Sequence, residues 1–173
     1  MSENRDKAEK LVRQHARWSL VAGLMPVPGL DIAAVAATQV RMLSKLAEAY
    51  GVPFSEHRGK SLILALLGSL LSKDFASGGA ASLIKAVPVV GVALGAVAMP
   101  VISAASTQAT GKVFIHHFES GGTLLDFSPA TARDYAKAQY NEALEVWKRR
   151  KEGAAEEATA PKKRARGEAA AAA

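Results

Sequence analysis

Ala86–Thr110, AVPVVGVALGAVAMPVISAASTQAT, holds 25 residues without an Asp, Glu, Lys, Arg or His. It is the one run in the chain long enough to cross a bilayer, which takes about 20 apolar residues. Its apolarity comes from Ala, Val and Gly, with Pro88 and Pro100 inside it. Gly91 and Gly95 lie four apart, a spacing that lets two helix backbones approach closely in a membrane or in a tight soluble hairpin. Pro100 lacks an amide donor and is expected to kink or break the helix. The run therefore reads as two apolar pieces, about 86–99 and 100–118, angled or folded against each other. Val87, Gly91, Leu94, Gly95, Ala98 and Ile102 form the expected face against lipid or against another helix.

Upstream, Ser61–Ser72 (SLILALLGSLLS) is uncharged for about three turns, a length that suits a buried core helix better than a span. Ser55 is its expected N-cap, and Lys73-Asp74 marks its polar end. Residues 76–80, ASGGA, make a joint. Lys60, Lys73, Lys85 and Lys112 flank the apolar runs, the bias expected of cytoplasmic flanks. Downstream, Val113, Phe114 and Phe118 read as core. His116 and His117 are adjacent, so on a helix they point about 100° apart and do not form a metal pair. Gly121-Gly122 permits a reversal, with Leu124, Leu125 and Phe127 expected to pin the loop. Ser128-Pro129 is a helix start of N-cap serine and first-position proline. The last helix is expected over about 129–151, buried through Tyr135, Ala138, Leu144 and Trp147.

Toward the N-terminus, residues 3–22 read as a helix with Leu11, Val12, His15, Trp18 and Val21 at spacings of three and four. Arg13 and Arg17 stand one turn apart beside Trp18. This is the pattern of an interfacial helix, with arginine stems reaching up and an aromatic at the boundary, or of an ordinary amphipathic helix with a buried Trp18. In MPVPGLD, Pro26 and Pro28 remove two donors, Gly29 frees the turn, and Asp31 is placed as the next N-cap. The second helix, 31–50, carries a stripe of Ile32, Val35, Ala36, Gln39, Met42, Leu43, Leu46 and Tyr50, with Gln39 expected to satisfy neighbouring backbone. Gly51 is its expected stop.

The chain has 173 residues, 49% hydrophobic but only 6% aromatic, which favours helices packed through small side chains. It has no cysteine, excluding disulfides and Cys-ligated metal sites. A net charge of +6 suits anionic partners. The opening MSENRDKAEK is too charged for a secretory signal. No P-loop lysine motif, GxSxG elbow or HExxH is present, and Asp31, Asp74, Glu119 and Asp126 sit at turns where capping accounts for them. The expectation is an all-α, compact multi-helix bundle with a glycine-rich apolar hairpin over 1–152, and a disordered basic, alanine-rich tail over 153–173. No enzyme activity, metal or cofactor is expected.

Two segments, GLMPVPGLDIAAVAATQVRMLSKLAEAYGVPFSEHR at 23–58 and GKVFIHHFESGGTLLDFSP at 111–129, resemble the bacterial domain of unknown function 697 family. Its members occur alone or behind Era-like GTPase domains, and several are described as inner-membrane proteins. The resemblance covers about residues 15–140. It implies an all-helical, membrane-associated module partnering a small GTPase, and it supplies no catalytic residues. The GTPase half is absent here, so a GTPase partner would act in trans. The expected partner is a lipid bilayer, on the cytoplasmic side of a bacterial inner membrane, with the run 86–110 entering lipid as a hairpin. The alternative is a soluble, cytoplasmic, homo-oligomeric helical adaptor with that run as core or subunit interface. Nucleic acid is not expected as a partner, although PKKRAR in the tail could touch phosphates.

Overall fold

The computed structural model describes residues 2–22, 30–70 and 91–171, with side chains described over 3–21, 33–70 and 99–151 and at 153 and 154. Every regular element among them is helical: α1 (Ser2–Ala22), α2 (Leu30–Ala49), α3 (Glu56–Leu70), α4 (Gly91–Glu119) and α5 (Pro129–Ala171). The all-α expectation holds.

The bundle is built around α4, which touches all four other helices. Its described residues are apolar on nearly every side, as a helix enclosed by others must be. Val101, Ala104, Ala105, Ala109, Val113, Phe114, Ile115 and Phe118 are all buried. α1 runs antiparallel to it, pairing Arg5 with Glu119 and Ser19 with Thr107. α2 runs parallel, bringing Gln39 to Thr107 and Tyr50 to Glu119. α5 returns antiparallel, setting Glu142 against Lys112 and Trp147 against Gln108.

Close helix approach depends on small residues. At Gly111 an added Cβ would lie 2.4 Å from Val12 Cγ2, so α1 can seat on α4 only because that position carries no side chain. Ala8, Ala16, Ala104, Ala105 and Ala109, all fully enclosed, line helices at this level of the core. The small-residue packing read from composition is thus realised inside the protein.

Four expectations require correction. The hairpin at Pro100 is replaced by one continuous helix: Pro100 lies buried within α4. Proline costs a helix interior one hydrogen bond and a clash, about 3 kcal/mol, and packing on four neighbours outweighs it here. Nor does the described part of the 86–110 run lie open to lipid, since Val101 to Thr110 is almost entirely buried against the protein's own helices. Among the described residues no helix is long and apolar enough to cross a membrane. The third correction concerns the last helix, which does not stop near 151. It continues to Ala171 through the segment expected to be disordered, favoured by its Ala, Glu, Lys and Arg content. Its buried positions are Ala136, Tyr140, Ala143 and Trp147; of the four expected, Trp147 is buried and Leu144 is half-buried against the core, while Tyr135 and Ala138 are exposed. Finally, α2 opens at Leu30, which puts Asp31 inside the first turn rather than before it.

Several expected features do appear. Leu62, Ile63, Leu66, Leu67 and Leu70 of α3 are buried, as a core helix requires. Ser128 caps α5, accepting from Thr131 N at 3.4 Å. Gly51 and Gly121 take φ values of 67° and 81°, closing α2 and turning the chain after α4. Pro26, Pro28, Gly29 and Val87 lie outside the described residues, as does residue 71–90 as a whole.

Candidate functional site

Three regions of the bundle concentrate polar chemistry. The first is internal. Ser103, Ser106, Thr107 and Thr110 stand at i, i+3, i+4 and i+7 on α4, so their hydroxyls form one buried stripe. Gln39 of α2, fully enclosed, reaches into it. Its Nε2 donates to Thr107 Oγ1 (3.2 Å) and Ser106 Oγ (3.3 Å), and its Oε1 accepts from Thr110 Oγ1 (3.2 Å). Ser19 of α1 shares a 2.8 Å hydrogen bond with Thr107. Three helices are thus tied through one amide and its hydroxyl neighbours. Gln39 binds side chains rather than the backbone expected from the sequence. Each bond is reinforced by the low local dielectric, and each would be costly to leave unmade.

His15 lies one turn before Ser19 on the same inward side of α1 and is also buried. Its Nδ1 donates to Leu11 O at 2.9 Å, leaving Nε2 as a buried nitrogen without a partner among the described residues. Burial pushes its pKa below the usual histidine value. The Leu11 carbonyl opposes that shift, and Lys45 and Arg41 across on α2 add to it.

The second region is a cleft of about 270 Å³ between α1, α4 and α5, lined by Arg5, Glu9, Lys112, His116, Glu119 and Glu142 among others. Its charges are matched. Arg5 meets Glu9 at 3.4 Å and Glu119 at 3.5 Å, and Lys112 meets Glu142 at 3.2 Å. The Tyr50 hydroxyl, pushed up to about 12 mainly by burial and then by Glu119, donates to Glu119 at 3.4 Å. The arrangement joins helices and presents little unsatisfied charge.

The third region is the outer side of α1 with the adjoining edge of α2. Lys10, Arg13, Gln14, Arg17, Trp18 and Val21 are exposed together, Trp18 at 47% and Val21 at 67%. Of the expected stripe, Val12 and His15 are buried, joined by Ala8, Ala16 and Ser19, while Trp18 and Val21 are exposed, which sets aside the amphipathic reading with a buried Trp18. Trp18 rests on His15, ring centroids 5.3 Å apart. Arg13 is held by Glu9 at 3.4 Å. Of the six positions expected to form a packing face, Ile102 is half-buried, and the side chains of Gly91, Leu94, Gly95 and Ala98 fall outside those described. The hydroxyl stripe on α4 was missed, although its Ser–Ser–Thr–Thr spacing is visible within the apolar run.

The loop after α4 is tightly built. His117 Nε2 donates to Thr123 O at 2.8 Å, and an added Cβ at Gly122 would strike the His117 ring at 2.3 Å. Asp126 accepts from Thr123 N at 2.6 Å, which together with the Thr123 hydroxyl holds its carboxyl below the usual range. Arg58 donates to Leu124 O (2.7 Å) and Leu125 O (2.5 Å). Leu124 and Phe127 are buried, but Leu125 is 75% exposed and pins nothing. Among the described residues no group of three or more His, Cys, Asp or Glu is placed to hold a metal ion.

Both resembling segments supply these features, 23–58 through Gln39 and Arg58, and 111–129 through the wired loop. The family described as Domain of unknown function (DUF697) matches residues 1–144. The chain belongs to that family. It is also 42% identical over 152 residues to magnetosome membrane protein 22 of Magnetospirillum gryphiswaldense, an alignment spanning 86% of this chain and 77% of that protein. No solved structure matches the chain.

Proposed function

We propose that this DUF697 chain is a non-enzymatic helical adaptor that works at a bacterial membrane surface, on the cytoplasmic side. The observation carrying the membrane part is the 42% identity, along most of both chains, to a protein named for a membrane. The family model spans residues 1–144, which take in α1 to α4 and the start of α5. The non-enzymatic part is supported by how the polar groups are used. Core hydroxyls satisfy Gln39, and cleft cations are tied to carboxylates. Adaptor action on a GTPase in trans rests on the resemblance of the two segments to a family whose members are also found fused to such domains.

The apolar run no longer argues for insertion, because its described part fills the core. Attachment is therefore assigned to the surface. Fractionation of cells producing the full chain tests this. The chain is expected in the membrane pellet at low ionic strength and in the supernatant after a high-salt or carbonate wash. Recovery in the supernatant at low salt would overturn membrane association. Retention through carbonate would overturn surface attachment. For the partner, recovery of a co-produced GTPase on the tagged chain should differ between GDP and a non-hydrolysable GTP analogue. Equal recovery with both would remove the GTPase from the reading.

A further inference from the structure

Membrane attachment, on the reading just given, needs a surface, and the charges of this bundle are unevenly shared. Between Lys10 and Ala47 the sequence holds five basic residues, Lys10, Arg13, Arg17, Arg41 and Lys45, and a single acid, Asp31. Elsewhere several cations are matched, Arg5, Lys7, Lys112 and Lys148 each meeting a carboxylate. Arg17, Arg41 and Lys45 form no ion pair among the described residues. Arg41 and Lys45 act on His15 from α2, and His15 supports the ring of Trp18. Ser19 and Gln39 both reach Thr107, so the antiparallel α1 and α2 set the exposed Arg41 and Lys45 at the levels of Arg17 and Arg13, beside Trp18, with Val21 one turn beyond it on α1.

We infer that the α1–α2 edge formed by Arg17, Trp18, Val21, Arg41 and Lys45 is the face that docks on an anionic lipid surface. Phosphate groups of lipid headgroups match the three free cations, and each Lys or Arg near such a surface adds about 5-fold in binding. Trp18 and Val21 distinguish this face from a merely basic one. An exposed indole beside arginines suits the boundary between headgroup and acyl chain, where an apolar ring with one polar N–H is most at home. A nucleic-acid backbone would use the cations and leave Val21 without a partner. The buried seam beneath, Ser19 to Thr107 to Gln39, locks α1 against α2 and keeps the residues of the face in register.

The test is sedimentation of the full chain with vesicles of phosphatidylcholine, alone or with a minority of phosphatidylglycerol, over a salt series. The parent chain is expected to bind the anionic vesicles strongly at low salt and the neutral ones weakly. The triple variant Arg17→Gln/Arg41→Gln/Lys45→Gln should lose roughly 100-fold in affinity. Trp18→Ala should lose the part of the binding that survives high salt. A control of equal net charge, Lys60→Gln/Lys137→Gln/Lys148→Gln on α3 and α5, should bind nearly as the parent does. Unchanged helical circular dichroism confirms that these surface variants fold. If the parent binds but both triple variants weaken equally, the face is wrong and membrane association stands. If the parent binds neither vesicle, or binds only a DNA duplex, the face and the membrane reading fall together.

Discussion

Single side chains decide whether α1 can sit where it does. Gly111→Ala would drive a methyl into Val12, at 2.4 Å from Cγ2. Such overpacking costs about 1–3 kcal/mol, and urea unfolding should show that loss. Val12→Ala in the same chain should recover part of it, because it removes the atoms in conflict; a strictly additive pair would disprove the contact. Gln39 behaves differently. Gln39→Leu keeps the volume but leaves Thr110 and its neighbouring hydroxyls buried without their amide, at about 1–3 kcal/mol for each group left unsatisfied. His15 adds a pH dependence. Its folded pKa is depressed by burial, with Lys45 and Arg41 assisting against the Leu11 carbonyl, while the unfolded side chain takes a proton near pH 6.5. The unfolded state therefore binds more protons just below that pH. The stability His15 contributes is present in full above about pH 7 and is lost as pH falls through 6.5 toward the folded value. The urea midpoint of the parent should drop over this interval more steeply than that of His15→Leu.

At the scale of elements, the Arg58 clamp explains why the loop after α4 is well defined although it lacks regular structure. Two charge-assisted bonds, to Leu124 O and Leu125 O, tie it to α3. Arg58→Ala should cost about 1.5–3 kcal/mol and speed amide exchange across 121–127 before any change in the helices. Helix positions were legible from spacing, caps and stops: Ser55, Gly51, Gly121 and Ser128 sit where their chemistry predicts. The stripe on α2 was legible in full over its described part, since its apolar side chains are large and its polar ones lie opposite. The phases of α1 and α5 were legible only in part: Val12, His15 and Trp147 are buried as expected. The rest of those faces includes Ala8, Ala16, Ala136 and Ala143, and alanine signals neither side, so the exposed Trp18, Val21 and Tyr135 entered the stripe. For α4, hydropathy could not separate lipid from a protein core, because both are apolar. What settles it is the hydroxyl stripe, which needs Gln39 and Ser19 opposite it, a tertiary fact with only a faint trace in spacing.

For the whole molecule, the question is where the basic balance resides and what the final helix does. Residues 152–173 contain four basic and four acidic side chains, so the net charge of +6 belongs entirely to residues 1–151. Trp147 is the last buried anchor of α5 among the described side chains: its Nε1 donates to Gln108 Oε1 at 2.8 Å, and Arg150 lies over its ring at 5.1 Å. The net charge is therefore complete by Lys151, and so is the packing of the described side chains. A chain ending there should unfold within about 0.5 kcal/mol of the full protein, as expected for changes away from core features. It should also bind anionic vesicles as the full chain does. Trp147→Ala, by contrast, removes a buried aromatic and strands Gln108, and should cost about 3–5 kcal/mol. Urea titrations of the three proteins compare these directly. A marked loss of stability on truncation would place a packing role in the tail. A loss of vesicle binding at unchanged stability would move part of the lipid contact from the α1–α2 edge to the cationic stretch at 162–166.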